Sequence, residues 1–167
     1  MWKQCVNLEW EASNPISMAA NTLHVSGNHS KKGEEIAIEE LADALQSADG
    51  LAWIDMKNPA EDEREWLLSQ GYHEMAVEDC FKEPVPKAYV YDTHRFVVVR
   101  ARDADREVDT EFLCVFVTDN LLVTVRHSEM PSVNNFAKRF NSKKIQRRID
   151  LGAEYLLYEM LDAIADD

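Results

Sequence analysis

The spacing of apolar residues changes period along this chain, and each change marks a predicted element. Leu51-Ala52-Trp53-Ile54-Asp55-Met56 is a compact, nearly continuous apolar run, which predicts a buried strand. Phe96-Val97-Val98-Val99 is the strongest β run, within a β segment over 89–102. The runs 111–117 and 121–126 flank Thr118-Asp119-Asn120 and predict a hairpin with a short polar turn. Between these lie helical spacings. Ile38, Leu41 and Leu45 recur as on one helix face and predict a helix over 34–48, ending near Asp49-Gly50. Asn58-Pro59 reads as an N-cap followed by a first-turn proline, opening a helix that runs to Gln70 with Trp66 and Leu67 inward and Gly71 as its stop. A short helix follows over 73–81, and Pro84 and Pro86 then bar any regular element.

Beyond Pro131 the pattern is wholly helical: one helix from Ser132 to about Arg148, and a second from about Leu151 onward, joined by a kink. The first 33 residues are the least patterned. They offer β-like pieces at 6–10 and 22–25 around a Ser13-Asn14-Pro15 turn, then an exposed loop over 27–33. Strands and helices interleave without a strict β-α-β-α rhythm. The expected fold is therefore α/β (α+β), a mixed parallel and antiparallel sheet covered by helices.

The chain has 167 residues, enough for one domain with a substantial core. No apolar run approaches the roughly 18 residues that cross a bilayer. Three cysteines (Cys5, Cys80, Cys114) form no close pair, which suggests reduced thiols, with Cys80 and Cys114 buried among apolar neighbours. A formal net charge of −13 argues against nucleic acid as a partner. The charges are segregated. Residues 131–149 carry Lys138, Arg139, Lys143, Lys144, Arg147 and Arg148 and no acid, whereas 150–167 carry six acids and no base. Two oppositely charged solvated helix faces account for this; a phosphate-binding patch and a cation-binding patch are the alternatives.

No Gly-rich phosphate loop, G-x-S-x-G elbow or H-E-x-x-H motif is present, and the five histidines show no metal-ligand spacing. Asp55, His73 and Cys80 make a nominal nucleophile trio of a kind that any chain this long offers, so no enzyme is expected. Carboxylates are the more promising donors. Glu78-Asp79 closes the short helix, and Glu154, Asp162 and Asp166 fall on one side of the last helix, opposite Leu157, Met160, Leu161 and Ile164. Acids without histidine or cysteine suit Mg²⁺ or Ca²⁺ rather than zinc. A plain solvated acidic face is the alternative.

In order, Trp53-Ile54-Asp55 with Asn58-Pro59, Gly71 to Asp79, Pro86-Lys87 with Tyr91-Asp92 and 96–100, Asn120 to His127, and Ala153 to Ile164 resemble the cytosolic domain of the CorA family of magnesium transporters. The resemblance covers 51–167; residues 1–50 match only in general layout, the whole reading as one domain whose last part, 150–167, opens a stalk helix. Two positions depart from the family pattern: Pro84-Val85-Pro86-Lys87 stands for Gln-Arg-Pro-Lys, and Glu74 rather than proline follows His73.

The resemblance implies an α/β/α sandwich on the cytoplasmic side of the membrane. It implies a homopentamer in the full-length protein, and a stalk helix that continues past Asp167 into two transmembrane helices bearing a Gly-Met-Asn signature. Alone, the chain is expected to be mostly monomeric. Regulatory Mg²⁺ sites between neighbouring copies fall, by the resemblance, on Glu78, Asp79 and Asp162, with only weak Mg²⁺ binding by the isolated chain. A zinc-transporting branch with the same architecture, and a stand-alone interaction module derived from such a transporter, are the competing expectations.

Overall fold

A computed structural model describes residues 19–26, 31–48, 50–104 and 109–167. The expected strand at 6–10, the 13–15 turn and Cys5 lie outside the described residues. Among the described residues seven strands form one sheet in the order β2-β1-β3-β7-β6-β5-β4. They are β1 (Ala20–Val25), β2 (Lys31–Glu35), β3 (Ala52–Lys57), β4 (Lys87–Val90), β5 (Arg95–Arg102), β6 (Thr110–Val117) and β7 (Leu121–Arg126). Only β3 and β7 run parallel, Ile54 opposite Val123 and Met56 opposite Val125; every other pair is antiparallel. The sheet is mixed, as the sequence predicts.

Side chains alternate across the strands, so each central strand feeds two cores. Ile54, Met56, Phe96, Val98, Cys114, Phe116, Val123 and Val125 point to one face. There they meet α1 (Leu41–Gln46), α2 (Glu61–Ser69) and α3 (Glu74–Asp79) through Leu41, Trp66, Leu67, Ala76 and Val77. Trp53, Leu113, Val115, Val117 and Leu122 point to the other face. They pack against α4 (Pro131–Arg139), α5 (Lys143–Gln146) and α6 (Ala153–Ala165), with Phe136 edge-on to the Trp53 indole at 4.9 Å and Phe140 tilted to it at 5.9 Å between ring centres. The result is an α/β/α sandwich.

Four boundaries differ from the pattern-based expectation. Lys31–Glu35 is not loop or helix but an edge strand paired with β1. Asn58 does not cap α2: it adopts φ +49° and donates its N–H to Arg126 O, prolonging the β3–β7 ladder by one bond. Asparagine tolerates this left-handed geometry better than most residues. The α2 start is instead Ala60, whose N–H donates to Glu63 Oε2 at 2.9 Å while Asn21 Nδ2 donates to Glu63 Oε1. The β segment 89–102 divides at the Tyr91–His94 turn into β4 and β5.

The long helix expected over 132–148 ends at Arg139, and Gly152 separates the acidic helix from it. Gly152 has φ +78° and ψ −174°, a conformation nearly restricted to glycine. A Cβ there would lie 2.9 Å from Asp119 O, the carbonyl that accepts the Ala153 N–H. Gly152 thereby seats α6 against the β6–β7 turn.

Candidate metal-sensing carboxylates

The short helix α3 is held at both ends. Ala76 and Val77 are fully buried against the sheet. At its start His73 is the N-cap, Nδ1 accepting the Met75 N–H at 3.2 Å. At its end come Glu78 and Asp79, then Cys80, buried, whose thiol donates to Ala76 O. Two acids at the C-terminal end of a helix face its negative pole, an unfavourable position unless a cation stands nearby. Each acid has one. Lys82 Nζ donates to Glu78 Oε2 at 3.1 Å, and Lys87, at the start of β4, pairs with Asp79. The hydrogen bond to Asp79 is the main reason the Lys87 ammonium is held above its ordinary pKa.

Asp162 lies elsewhere. It is exposed on α6, which packs on the opposite face of the sheet from α3. Within one chain the sheet therefore separates Asp162 from Glu78 and Asp79. Among the described residues, no group of three or more His, Cys, Asp or Glu side chains converges to hold a metal ion.

The α6 face also differs from the expected one. The buried residues are Ala153, Tyr155, Leu156, Glu159, Ala163 and, as expected, Met160, while Leu157, Leu161 and Ile164 are only partly covered. Of the acids, Glu154 pairs with Arg95 of β5, and Asp162 and Asp166 are exposed. Glu159 belongs to the core-facing side: Tyr155 Oη donates to Oε1 at 2.6 Å and Lys144 Nζ to Oε2 at 2.8 Å. Burial raises the Glu159 pKa, but those two donors outweigh it and hold the carboxyl below its usual range. This pair joins the basic and acidic segments that the sequence shows as separate blocks.

The trio Asp55, His73 and Cys80 is not assembled. Asp55 is buried on the α4 face in a bidentate pair with Arg126, Cys80 is buried on the other face, and His73 caps α3. Cys80 and Cys114 are both buried, as expected, and burial pushes the Cys80 thiol well up.

Residues 48–167 match the family described as CorA-like Mg2+ transporter protein. The chain is 28% identical over 118 residues to "Putative metal ion transporter YfjQ" of Bacillus subtilis, covering 69% of this chain and 36% of that protein. It is 24% identical over 118 residues to "Cobalt/magnesium transport protein CorA" of Methanocaldococcus jannaschii, covering 68% of this chain and 37% of that protein. The fold matches the soluble domain of the Methanocaldococcus jannaschii CorA with a TM-score of 0.59 at 19% identity, over 89% of this chain and 56% of that one. It also matches the ZntB cytoplasmic domain of Vibrio parahaemolyticus, TM-score 0.58 at 10% identity, over 87% and 56%. The chain thus spans little more than a third of the curated relatives it matches. Among the described residues no helix is long and apolar enough to cross a membrane.

Proposed function

Because the chain belongs to the CorA-like Mg2+ transporter family, we propose that it is the cytosolic regulatory domain of a divalent-cation transporter. In this reading Glu78 and Asp79 of one copy and Asp162 of a neighbouring copy share regulatory Mg²⁺ in a membrane-bound homopentamer. The observation that carries it is the placement of the acids: two carboxylates crowd the negative end of α3, paired among the described residues with Lys82 and Lys87, and the third lies exposed on the far side of the sheet. A site completed between copies fits that separation. As an isolated chain the protein then stays mostly monomeric and binds Mg²⁺ weakly.

The donor set supports Mg²⁺ over zinc, since it consists of carboxylate oxygens without thiol or imidazole. Regulation follows from linkage: an ion that binds the closed arrangement more tightly shifts the population toward it. Without the ion, like charges gathered at the interface repel and favour opening. The test is the full-length transporter carrying Glu78→Gln, Asp79→Asn and Asp162→Asn together. Closure is expected to need a higher Mg²⁺ concentration, and unchanged closure would remove these residues from the mechanism.

Lys87 enters the same reading as a tethered competitor of the ion, because Asp79 cannot give a divalent cation its full charge while paired. Lys87→Gln is expected to lower the Mg²⁺ concentration for closure by roughly two- to fivefold, the scale of a partly exposed ion pair. A Mg²⁺ titration of transport current measures it.

A further inference from the structure

We propose that His73 and His94 form a proton-sensitive latch on the N-terminal end of α3, closed only while both imidazoles are neutral. Two backbone N–H groups carry the argument. The His73 N–H donates to His94 Nε2 at 3.4 Å, and the Met75 N–H donates to His73 Nδ1 at 3.2 Å. A backbone N–H only donates, so each of these ring nitrogens must offer a lone pair. The remaining His94 proton then sits on Nδ1, facing Thr93 Oγ1 at 3.0 Å. Protonating His94 Nε2 or His73 Nδ1 turns an acceptor into a donor facing another donor. A positive charge beside the N-terminus of a helix is unfavourable as well.

The surroundings of His94, which is buried, favour its neutral state. Tyr91, in the β4–β5 turn, is stacked between the two rings, 4.6 Å from His73 and 4.8 Å from His94 between ring centres. Tyr72 and Phe116 close over His94 from the α2–α3 connection and β6. Burial, and then the charge of His73, lower the His94 pKa. No carboxylate forms an ion pair with either imidazole among the described residues. Glu74 is exposed, Arg95 is held by Glu154, and Asp79 and Lys87 act on Tyr91 from the far end of α3 and from β4.

The latched state takes up fewer protons than the released one, so the latch is closed at neutral pH and loosens as pH falls below the ordinary imidazole range. Since α3 carries Glu78 and Asp79 one and a half turns further on, release disorders the helix that presents them. That consequence for metal sensing rests on the function proposed above; the latch itself does not.

Amide hydrogen exchange of the 167-residue chain, followed by NMR at pH 7.5 and pH 5 and corrected for intrinsic rates, tests it. Protection at Met75, Ala76 and Val77 is expected to fall by up to about 30-fold through His94, the ratio of protonated to neutral rings in a released state of ordinary pKa. His73→Asn with His94→Gln supplies acceptors that do not titrate and should abolish the loss. Val123, in the centre of the sheet, reports global unfolding. An equal loss in both proteins, or a parallel loss at Val123, overturns the latch. If α3 loosens with acid while closure of the full-length transporter keeps its Mg²⁺ dependence, the latch stands and the metal role of Glu78 and Asp79 falls.

Discussion

Asp55→Ala is expected to cost roughly 3–5 kcal/mol of folding stability, the range for removing one partner of a buried ion pair. Asp55 and Arg126 stand on the parallel strands β3 and β7 and are both buried. Arg126 Nη2 donates to Asp55 Oδ2 at 2.8 Å, and Nε donates to both carboxylate oxygens at 3.1–3.2 Å. Thr124 Oγ1 donates to Asp55 Oδ1 at 2.7 Å and accepts from Trp53 Nε1 at 3.0 Å. Removing the carboxylate leaves a guanidinium that cannot shed its proton, beside a Thr124 hydroxyl left with the longer bond to Ile54 O at 3.4 Å. Ser128 O, Glu129 and Asn134 still face Arg126 and retain part of its solvation. The double variant Asp55→Leu with Arg126→Met should therefore cost clearly less than the two single changes summed. Urea unfolding of the four proteins measures the cycle. A loss below about 1 kcal/mol for Asp55→Ala would mean that water reaches the pair.

That pair was partly legible in the sequence. Asp55 and Arg126 interrupt apolar runs at positions whose alternation places them on the same face as Trp53 and Leu122. Opposite charges at inward positions of two strands signal a buried pair, but only once the strands are known to be neighbours in register. The central strands and the β6–β7 hairpin were legible for the same reason, since burial on both faces writes itself as a continuous apolar run. Lys31–Glu35 was not, because its pairing with β1 uses backbone groups and leaves no apolar alternation in Lys-Lys-Gly-Glu-Glu. Asn58-Pro59 misled because asparagine serves an N-cap and a left-handed turn equally well, and only the tertiary ladder decides between them.

The candidate site was legible as residue types and not as an arrangement. Glu78-Asp79 stands out as an adjacent acid pair, yet nothing local reveals that Lys87 answers Asp79 from the next strand. On α6 the acids looked alike, but Glu159 is buried against Lys144 and Tyr155 while Asp162 is exposed. Helical spacing fixes which residues share a face; it does not fix which face meets the sheet. The expected stripe Leu157, Met160, Leu161 and Ile164 competes with Tyr155, Leu156, Met160 and Ala163; Met160 is common to both, and Gly152, at the start of α6, accompanies the second.

Acid is expected to unfold this domain partly through His24, at a cost near 3 kcal/mol between pH 7 and pH 4. The His24 ring is stacked on Trp53 at 4.3 Å between centres, lies beside Phe140 and would stand 2.9 Å from a Cβ at Gly33, and its Nδ1 is buried with no hydrogen-bond partner among the described residues. Burial lowers its pKa from 6.5 to about 4, against a smaller opposing pull from Asp55. The native state therefore stays unprotonated while the unfolded chain takes up a proton. Stability from this residue is complete above pH 6.5, falls as pH drops below it, and levels off once the native ring also titrates near pH 4. His24→Leu removes the titration and the unpartnered nitrogen while keeping an apolar side chain over Trp53. Its urea midpoint should change less between pH 7 and pH 4 than that of the unaltered protein, whose remaining acid sensitivity comes from groups such as Glu129, held near pKa 2 chiefly by the hydrogen bond from Lys57. Parallel pH profiles for the two proteins would show that His24 charges in place without disturbing the Trp53 core.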